Sequence, residues 1–466
     1  MNLDDDRQRS AWRHHLGGLL RHRKVICGIS PLAGLTDHVQ MLREAGAQQP
    51  LLLASGLGAG PVPPAGAAQV VFVDEPPSES MTEELRQHDR QLRHLPPEVV
   101  DQIEAYDPDR DAVWVVAPFV GTAPVLGREV VGGRPDAWTA LEDKLVVDEI
   151  WDSLGVPRAE SRAVPVDVDA LRPASALCDR GAVVVWAGDA RDGFNGGGDF
   201  VRWVVTEDDA SAAAEFFAPR CDRVRVMPFL EGVPCSVHGM VLPDGTAAFR
   251  PVELAILRGA GRRFVYGGQG TTWDPPESDR AQMRDLVRRT GECLRRRVDY
   301  RGAFGIDGIL TADGFRPTEL NARLAGGLAA LARVIDSGLF HLLQLNLTAG
   351  RDPGVDATTL ERWAVSAMDA APFSKAIAFS TRPVATAPAD IPVCWDGMSL
   401  SRTDTANGWT VSVGPNPAGT YCRLLPPPDA DVGRRTAALN LALMRFLDAE
   451  LGTTFGELCA APEVRG

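Results

Sequence analysis

The sequence predicts an α/β and α+β protein with three consecutive domains. Its 466 residues correspond to about three domains of ordinary size, and a hydrophobic fraction of 45% is enough for buried cores. Up to residue 134, apolar runs alternate with helical stretches, which indicates a Rossmann-like parallel sheet. Strands with glycine-bearing turns dominate residues 135–355. Prolines and short strands then predict a small C-terminal α+β extension over residues 356–466.

The N-terminal domain is predicted from four short apolar runs, each a candidate buried strand. A helical pattern over residues 36–47 lies between the first two runs. The loop from Gly28 to Gly34 lacks the GxGxxG spacing, so we expect no dinucleotide site there. The four predicted strands cover residues 23–30, 49–58, 68–76 and 111–119.

The central domain is predicted to begin with two helices over residues 132–158. A long amphipathic helix over 277–298 precedes a β-hairpin over 303–321, which turns at residues 312–314. A last helix is predicted over 434–451, beyond the proline-rich strands. Alternating residues and glycine-bearing turns predict antiparallel strands at 162–168, 181–188, 199–205, 223–230, 235–242 and 246–257.

Charge and composition exclude several classes of partner. The formal charge of −14 argues against sequence-independent nucleic-acid binding, which requires a basic excess. No run of 18 apolar residues occurs, and the N-terminus lacks an apolar signal core, so we expect no membrane partner. The eight cysteines are scattered and form no CxxC pair. We therefore expect reduced, mostly buried thiols in a cytoplasmic protein.

The hairpin carries the strongest chemical signal. Glu319 and Asn321 are two residues apart on one strand, so their side chains share a face, and the hairpin brings Asp307 opposite them. Two carboxylates and a carboxamide suit Mg²⁺, which keeps substrate phosphates in its remaining positions. Arg323 follows on the same face and is predicted to hold a transferred phosphoryl group or an oxyanion. Solvated acids on the outer face of an ordinary hairpin are the alternative.

Three weaker signals precede the hairpin. Lys144, one of three lysines in the chain, is predicted to begin a helix. Residues 188–200 form a glycine-rich loop whose backbone N–H groups could fold over a polyphosphate; a disordered hairpin loop is the alternative. Residues 223–239 have the pattern of a strand, a short crossing and another strand. The crossing could present backbone groups at Met227 and Leu230 to an adenine ring.

In order and spacing, these four signals resemble the ATP-grasp superfamily, which clamps ATP between two α+β subdomains and joins a carboxylate to a nucleophile through an acyl phosphate. The resemblance covers about residues 135–335. It implies ATP and Mg²⁺ as cofactors and a nucleotide-binding subdomain at about residues 160–230. The roles it implies are a phosphate contact for Lys144, a phosphate lid of Gly193, Gly196, Gly197 and Gly198, an adenine hinge of Met227, Phe229 and Leu230, Mg²⁺ ligands Asp307, Glu319 and Asn321, and a catalytic Arg323.

Two nucleotide contacts depart from the ATP-grasp pattern. The second lysine expected before the glycine-rich loop is replaced by Trp186, so Arg191 or the loop backbone would have to bind the phosphate instead. The glutamate expected on the ribose is replaced by Pro234, which leaves Glu231 as the candidate.

A third departure concerns a catalytic residue. The arginine often found two residues before the first metal-binding acid is replaced by Gly305, which leaves Arg258 and Arg301 as the candidates. With its Rossmann-like domain and C-terminal extension, the whole chain resembles the pheganomycin-type peptide ligases.

That resemblance implies an ATP-dependent ligase that joins a small carboxylate to an amine or peptide and releases ADP. A homodimer is one expected assembly. Two alternatives stay open at this point: an ATP-grasp enzyme that uses a non-amine nucleophile, and an ATP-binding regulatory protein without turnover.

Overall fold

The computed structural model describes residues 1–74, 76–178, 183–196, 198–405, 408–427 and 429–465. The strands of these residues form three sheets. They are β1 (Val25–Ser30), β2 (Leu51–Ala54), β3 (Gln69–Phe72), β4 (Val113–Val115), β5 (Glu129–Val131), β6 (Arg162–Pro165), β7 (Val184–Gly188), β8 (Val201–Val204), β9 (Arg223–Pro228), β10 (Val233–Leu242), β11 (Gly245–Ala248), β12 (Val252–Gly259), β13 (Phe264–Gly270), β14 (Gly302–Thr311), β15 (Gly314–Asn321), β16 (Ser374–Ser380), β17 (Ala389–Trp395), β18 (Leu400–Arg402), β19 (Thr410–Asn416), β20 (Gly419–Leu425) and β21 (Leu458–Cys459).

The α-helices of the described residues surround these sheets. They are α1 (Asp6–Gly17), α2 (Thr36–Glu44), α3 (Met81–Arg93), α4 (Pro97–Tyr106), α5 (Asp136–Thr139), α6 (Val147–Ser153), α7 (Val168–Cys178), α8 (Glu207–Phe217), α9 (Glu277–Val298), α10 (Gly326–Arg333), α11 (Ser337–Thr348), α12 (Ala357–Ala370) and α13 (Thr436–Leu451).

The N-terminal sheet is parallel, with strand order β3-β2-β1-β4-β5. The four predicted strands are confirmed, and β5 adds a fifth. Leu51, Leu52 and Leu53 are all buried, because a parallel sheet covered on both faces buries consecutive residues rather than every second one. The two faces of the sheet belong to separate hydrophobic clusters. One cluster includes residues of helix α11, and the other includes residues of α4.

A small antiparallel sheet follows, with strand order β6-β9-β7-β8. Helices α7 and α8 cover one of its faces, where Trp186 and Val226 pack with Phe217. The opposite face carries Val185 and Met227 and is open. We predicted the strands of this sheet but not its two helices. The first two residues of the predicted strand 181–188 lie outside the described part.

The largest sheet has twelve strands, and its main path runs β15-β14-β10-β12-β13-β16-β20-β19-β17-β18. The prediction of one antiparallel region was therefore too simple, because the strands belong to two sheets that face each other. The strand predicted over 246–257 is divided into β11 and β12. The C-terminal extension continues the large sheet through the β13–β16 pair, and α13 packs against that part of it.

Several helices were not predicted from the sequence, among them α3, α4, α10, α11 and α12. The predicted start of a helix at Lys144 was also wrong, because α6 begins only at Val147 and Lys144 lies in the preceding turn. Six of the eight cysteines are buried, in agreement with the expectation of mostly buried thiols, and Cys394 and Cys459 are exposed. No helix of the described residues has both the length and the apolar character needed to cross a membrane.

Candidate active site

A cleft of about 540 Å³ separates the open face of the small sheet from the β10–β14–β15 part of the large sheet. One group of lining residues is apolar and the other is charged or polar. The apolar group includes Val185, Ala187, Met227, Phe229, Leu230, Ile256 and Ile309. The polar group includes Lys144, Arg225, Ser236, Asp307, Glu319, Asn321 and Arg323.

The hairpin of β14 and β15 positions the acids of the cleft. Asp307 and Glu319 are directly paired across the two strands, and an irregularity in the pairing follows Asp307. Paired residues place their side chains on the same face within contact distance. Asn321 Nδ2 donates a hydrogen bond of 2.9 Å to Asp307 Oδ2. Burial, and then repulsion from Glu319, raises the pKa of Asp307 to about 6.

Lys144 is the cation nearest to this pair. Its side chain is 6% exposed, and its Nζ lies 3.2 Å from Glu319 Oε1. The same Nζ donates a hydrogen bond of 3.1 Å to the backbone oxygen of Asn195. Two carboxylates and the Asn321 amide match the oxygen ligands of Mg²⁺. The described residues contain no cluster of three His, Cys, Asp or Glu side chains suited to a metal. A cation here would therefore need further ligands, such as phosphate oxygens.

A polar pair from β10 supports Asp307. Ser236 is paired with Asp307 across the sheet, and its hydroxyl hydrogen-bonds that carboxylate. The Ser236 hydroxyl also lies 3.1 Å from His238 Nε2. Burial lowers the pKa of His238 to about 3, so its imidazole is neutral at pH 7. His238 thus helps to position the carboxylate rather than carrying charge.

Arg323 lies between two aromatic rings and an acid. Its guanidinium stacks 4.5 Å from the ring centroid of Phe194 and 5.4 Å from that of Phe119. It also forms an ion pair with Glu142, whose other oxygen lies 2.6 Å from Arg134 Nη1. These contacts hold the guanidinium in one orientation at the wall of the cleft.

The glycine-rich loop is held against the N-terminal domain by helix α3. Thr82 Oγ1 donates a hydrogen bond of 2.9 Å to the Gly196 carbonyl, and Arg86 Nε donates one of 2.7 Å to the Phe194 carbonyl. Gly196 and Gly198 both line the cleft. Gly197 lies outside the described residues.

The predicted adenine hinge lies along the edge of the cleft. Met227, Phe229 and Leu230 line it, although the Phe229 N–H is already bonded to the Val183 carbonyl at 3.0 Å. Glu231 lies at the surface in an ion pair of 2.7 Å with Arg258. The Arg258 guanidinium stacks 4.7 Å from the Phe229 ring centroid and lines the cleft.

Besides Glu231, four of the candidate residues lie outside the cleft. Trp186 points into the core under α7, because strand alternation turns Val185 and Ala187 toward the cleft instead. Arg191 is bound outside the cleft by Asp192 and Asp222. The other two are Gly193, which does not line the cleft, and Arg301, which pairs with Asp299 at the far end of β14.

The missing arginine two residues before Asp307 has a steric explanation. A Cβ at Gly305 would lie 2.9 Å from His238 Cδ2, so a side chain there would displace the imidazole.

Several site residues were missed by the sequence analysis. Arg225 lines the cleft and is paired with Ala187 on the neighbouring strand. Its guanidinium forms an ion pair of 2.6 Å with Asp148 and donates a hydrogen bond of 3.0 Å to the Thr318 carbonyl. The ion pair with Asp148 thus largely balances the charge of Arg225. Strand alternation could have placed Arg225 on the cleft face. No local signal identifies residues such as Thr82 and Glu142, because they reach the site through tertiary packing.

No family model matches the chain, and no curated relative matches its sequence. Solved structures match in fold. Carboxyaminoimidazole ribonucleotide synthase from Aspergillus clavatus, complexed with ATP, aligns with a TM-score of 0.50 and 13% identity, over 94% of this chain and 98% of that one. Phosphoribosylamine–glycine ligase from Thermotoga maritima aligns with a TM-score of 0.50 and 14% identity, over 91% and 96%.

A third match is the biotin carboxylase domain of the Hydrogenobacter thermophilus 2-oxoglutarate carboxylase, in complex with MgADP, ADP and bicarbonate. It aligns with a TM-score of 0.52 and 12% identity, over 87% of this chain and 86% of that one. The chain has the ATP-grasp fold. The small sheet and the β10–β14–β15 region are its two facing subdomains, and the cleft between them carries the predicted hairpin. At this level of identity the ATP-grasp likeness establishes architecture, and function depends on the cleft itself.

Proposed function

We propose that the protein is an ATP-dependent ligase that joins a carboxylate to an amine through an acyl phosphate and releases ADP and phosphate. One observation carries the proposal: Lys144, Arg323, Asp307 and Glu319 face a single cleft between the two subdomains of an ATP-grasp fold. The chemistry of phosphoryl transfer needs this combination of fixed cations and metal-binding carboxylates.

The nucleotide is proposed to bind with its adenine among the apolar residues near Met227 and its phosphates near Lys144 and the glycine-rich loop. Asp307, Glu319 and the amide oxygen of Asn321 would hold Mg²⁺, which neutralises phosphate charge when bound. The two carboxylates suit this role because their mutual repulsion in a buried place is relieved by a cation.

In the proposed reaction, an oxygen of the substrate carboxylate attacks the γ-phosphorus of ATP, and ADP leaves. The amine nitrogen then attacks the carbonyl carbon of the acyl phosphate, inorganic phosphate leaves, and the nitrogen loses a proton. Arg323, oriented by Glu142, would neutralise the transferred group, while Phe119 and Phe194 exclude water around it. Positioning and electrostatics supply most of the rate.

The finer assignments belong to the same proposal. We infer a pheganomycin-type role in natural-product biosynthesis, with a small amino acid as the carboxylate and a peptide as the amine. The proposed domain boundaries are 1–134, 135–355 and 356–466. A homodimeric assembly also stays a prediction, and light scattering of the purified chain tests it. A cytoplasmic location stays a prediction as well.

The test is nucleotide analysis of the purified protein with Mg²⁺, ATP and a matrix of carboxylates and amines. The expected result is ADP, with amide formed in step with it and an amine required for sustained turnover. Bicarbonate replaces the carboxylate in one arm and a thiol replaces the amine in another. AMP as the main product would refute the acyl-phosphate route. Turnover with a thiol alone would favour the non-amine ligase.

The same assay tests the metal assignment through Glu319→Gln. We expect turnover to fall by orders of magnitude with the fold intact, because this partly exposed carboxylate is not part of a core. Glu98→Gln, at an exposed site on α4, is the matched control and is expected to retain full turnover. Near-normal ADP formation by Glu319→Gln at saturating Mg²⁺ would contradict the assignment.

A further inference from the structure

Lys375 is a partly buried cation without an acid partner among the described residues. Lys24 lies 3.6 Å from Asp107 and Lys144 lies 3.2 Å from Glu319, but Lys375 forms no ion pair within the described residues. Burial, then repulsion from Arg333 and Arg423, lowers its pKa to about 8. A partly buried charge without an acid partner is unfavourable for stability, so its presence calls for another explanation.

The sheet places a second unpaired cation beside it. Ile377, two residues along β16 from Lys375, is paired with Arg423 on β20, so both cations project from the same sheet face. Among the described residues Arg423 has no ion pair, and its buried Nε has no hydrogen-bond partner. Its guanidinium lies against Gly60 so closely that a Cβ there would overlap it.

This face adjoins the cleft. Lys375 is paired directly with Gln269 on the neighbouring strand β13. Gln269 lines the cleft, and its side-chain amide donates a hydrogen bond of 2.8 Å to the Gly326 carbonyl. Arg333, at the end of the helix that begins at Gly326, adds a third cation, whose charge Asp37 partly balances at 2.9 Å. The three cations come from three separate parts of the chain, so the fold brings them together.

We propose that Lys375 and Arg423, with Arg333 beside them, bind an anionic group of the acid substrate at the Gln269 side of the cleft. The proposal rests on the ligase function above and narrows the substrate to an acid with an anionic group within reach of both cations. A guanidinium offers a carboxylate two parallel hydrogen bonds and an ammonium adds a point charge, so a carboxylate fits the pair.

The test is calorimetric titration of the protein, loaded with Mg²⁺ and a non-hydrolysable ATP analogue. The probes are acetate, glycine, succinate, glutarate, citrate and inorganic phosphate. We expect at least one carboxylate probe to bind, and its affinity to fall about ten- to hundredfold in Lys375→Met and in Arg423→Met. Lys375→Arg retains the charge and is expected to stay within about threefold of the wild type. Lys24→Met is the matched control with no expected effect.

The outcomes separate the two proposals. Failure of the ATP analogue to bind would overturn the proposed function, whereas unchanged carboxylate affinity in Lys375→Met would overturn the anion site alone. Binding of phosphate but of no carboxylate would overturn the assignment to an acid substrate, as would binding of no probe by the nucleotide-loaded wild type. Lys375→Met is expected to melt at or above the wild-type temperature, so a lost affinity would not reflect unfolding.

Discussion

Replacing Asp307 with asparagine should stabilise the protein while removing its metal-dependent nucleotide binding. Burial and the neighbouring Glu319 raise the pKa of Asp307 from 3.8 to about 6. Each pKa unit corresponds to about 1.4 kcal/mol, so ionised Asp307 costs the folded state up to about 3 kcal/mol at neutral pH. Partial exposure reduces this figure, and we expect Asp307→Asn to raise the free energy of unfolding by about 1–3 kcal/mol.

The gain depends on pH in a defined direction. The folded chain holds the Asp307 proton to higher pH than the unfolded chain, so wild-type stability falls as pH rises from about 4 to about 6. The advantage of Asp307→Asn is therefore full above about pH 6. It should shrink by about 1 kcal/mol when the pH is lowered from about 7.5 to about 5.5.

The assay is urea unfolding at both pH values without metal, together with calorimetric titration of ATP in the presence of Mg²⁺. Asp313→Asn, at an exposed turn position of the same hairpin, is the matched control and should change neither quantity. Loss of stability in Asp307→Asn at neutral pH would refute the electrostatic reasoning. Retained Mg²⁺-dependent ATP binding would refute the ligand assignment.

Further predictions concern other charged residues of the cleft and its surroundings. Lys144→Met should weaken ATP binding about tenfold or more, measured by calorimetry, whereas Lys24→Met should not; equal affinities would remove Lys144 from the phosphate site. Arg323→Lys should lower kcat by about tenfold or more with little change in the KM for ATP, because an ammonium lacks the planar fork held by Glu142 and the aromatic rings. The stability gain of Lys375→Met should be largest below about pH 8 and disappear toward pH 10.5, since the folded chain binds fewer protons in that window; melting curves across it check the sign.

Local pattern was sufficient to predict the hairpin and the strand positions of its acids. Strand periodicity places Glu319 and Asn321 on one face. The two-residue turn alone would pair Asp307 with Thr318, and the irregularity that follows Asp307 shifts its partner to Glu319, so the observed strand pairing completes this part of the site. The same reasoning predicted the four parallel strands and the limits of α9, because those segments have strong periodicity.

Strand periodicity also separates Trp186 from Arg225. The motif position of Trp186 predicts a place at the cleft, yet alternation along β7 turns its side chain into the core. Arg225 lies on the cleft face by the same rule. The packing of α3 against the glycine-rich loop, by contrast, joins residues more than 100 positions apart, and no local pattern encodes it.

The sequence by itself determined the order of strands and helices along most of the chain and the hairpin on which two carboxylates lie, because these depend on periodicity and turns between neighbouring residues. Tertiary structure decided which cations meet those carboxylates. Lys144 reaches Glu319 from a separate segment of the chain, and Lys375 becomes a partly buried, unpaired charge because β16 pairs with β13 of the preceding region. Charges far apart in the chain affect one another only after folding has excluded water between them.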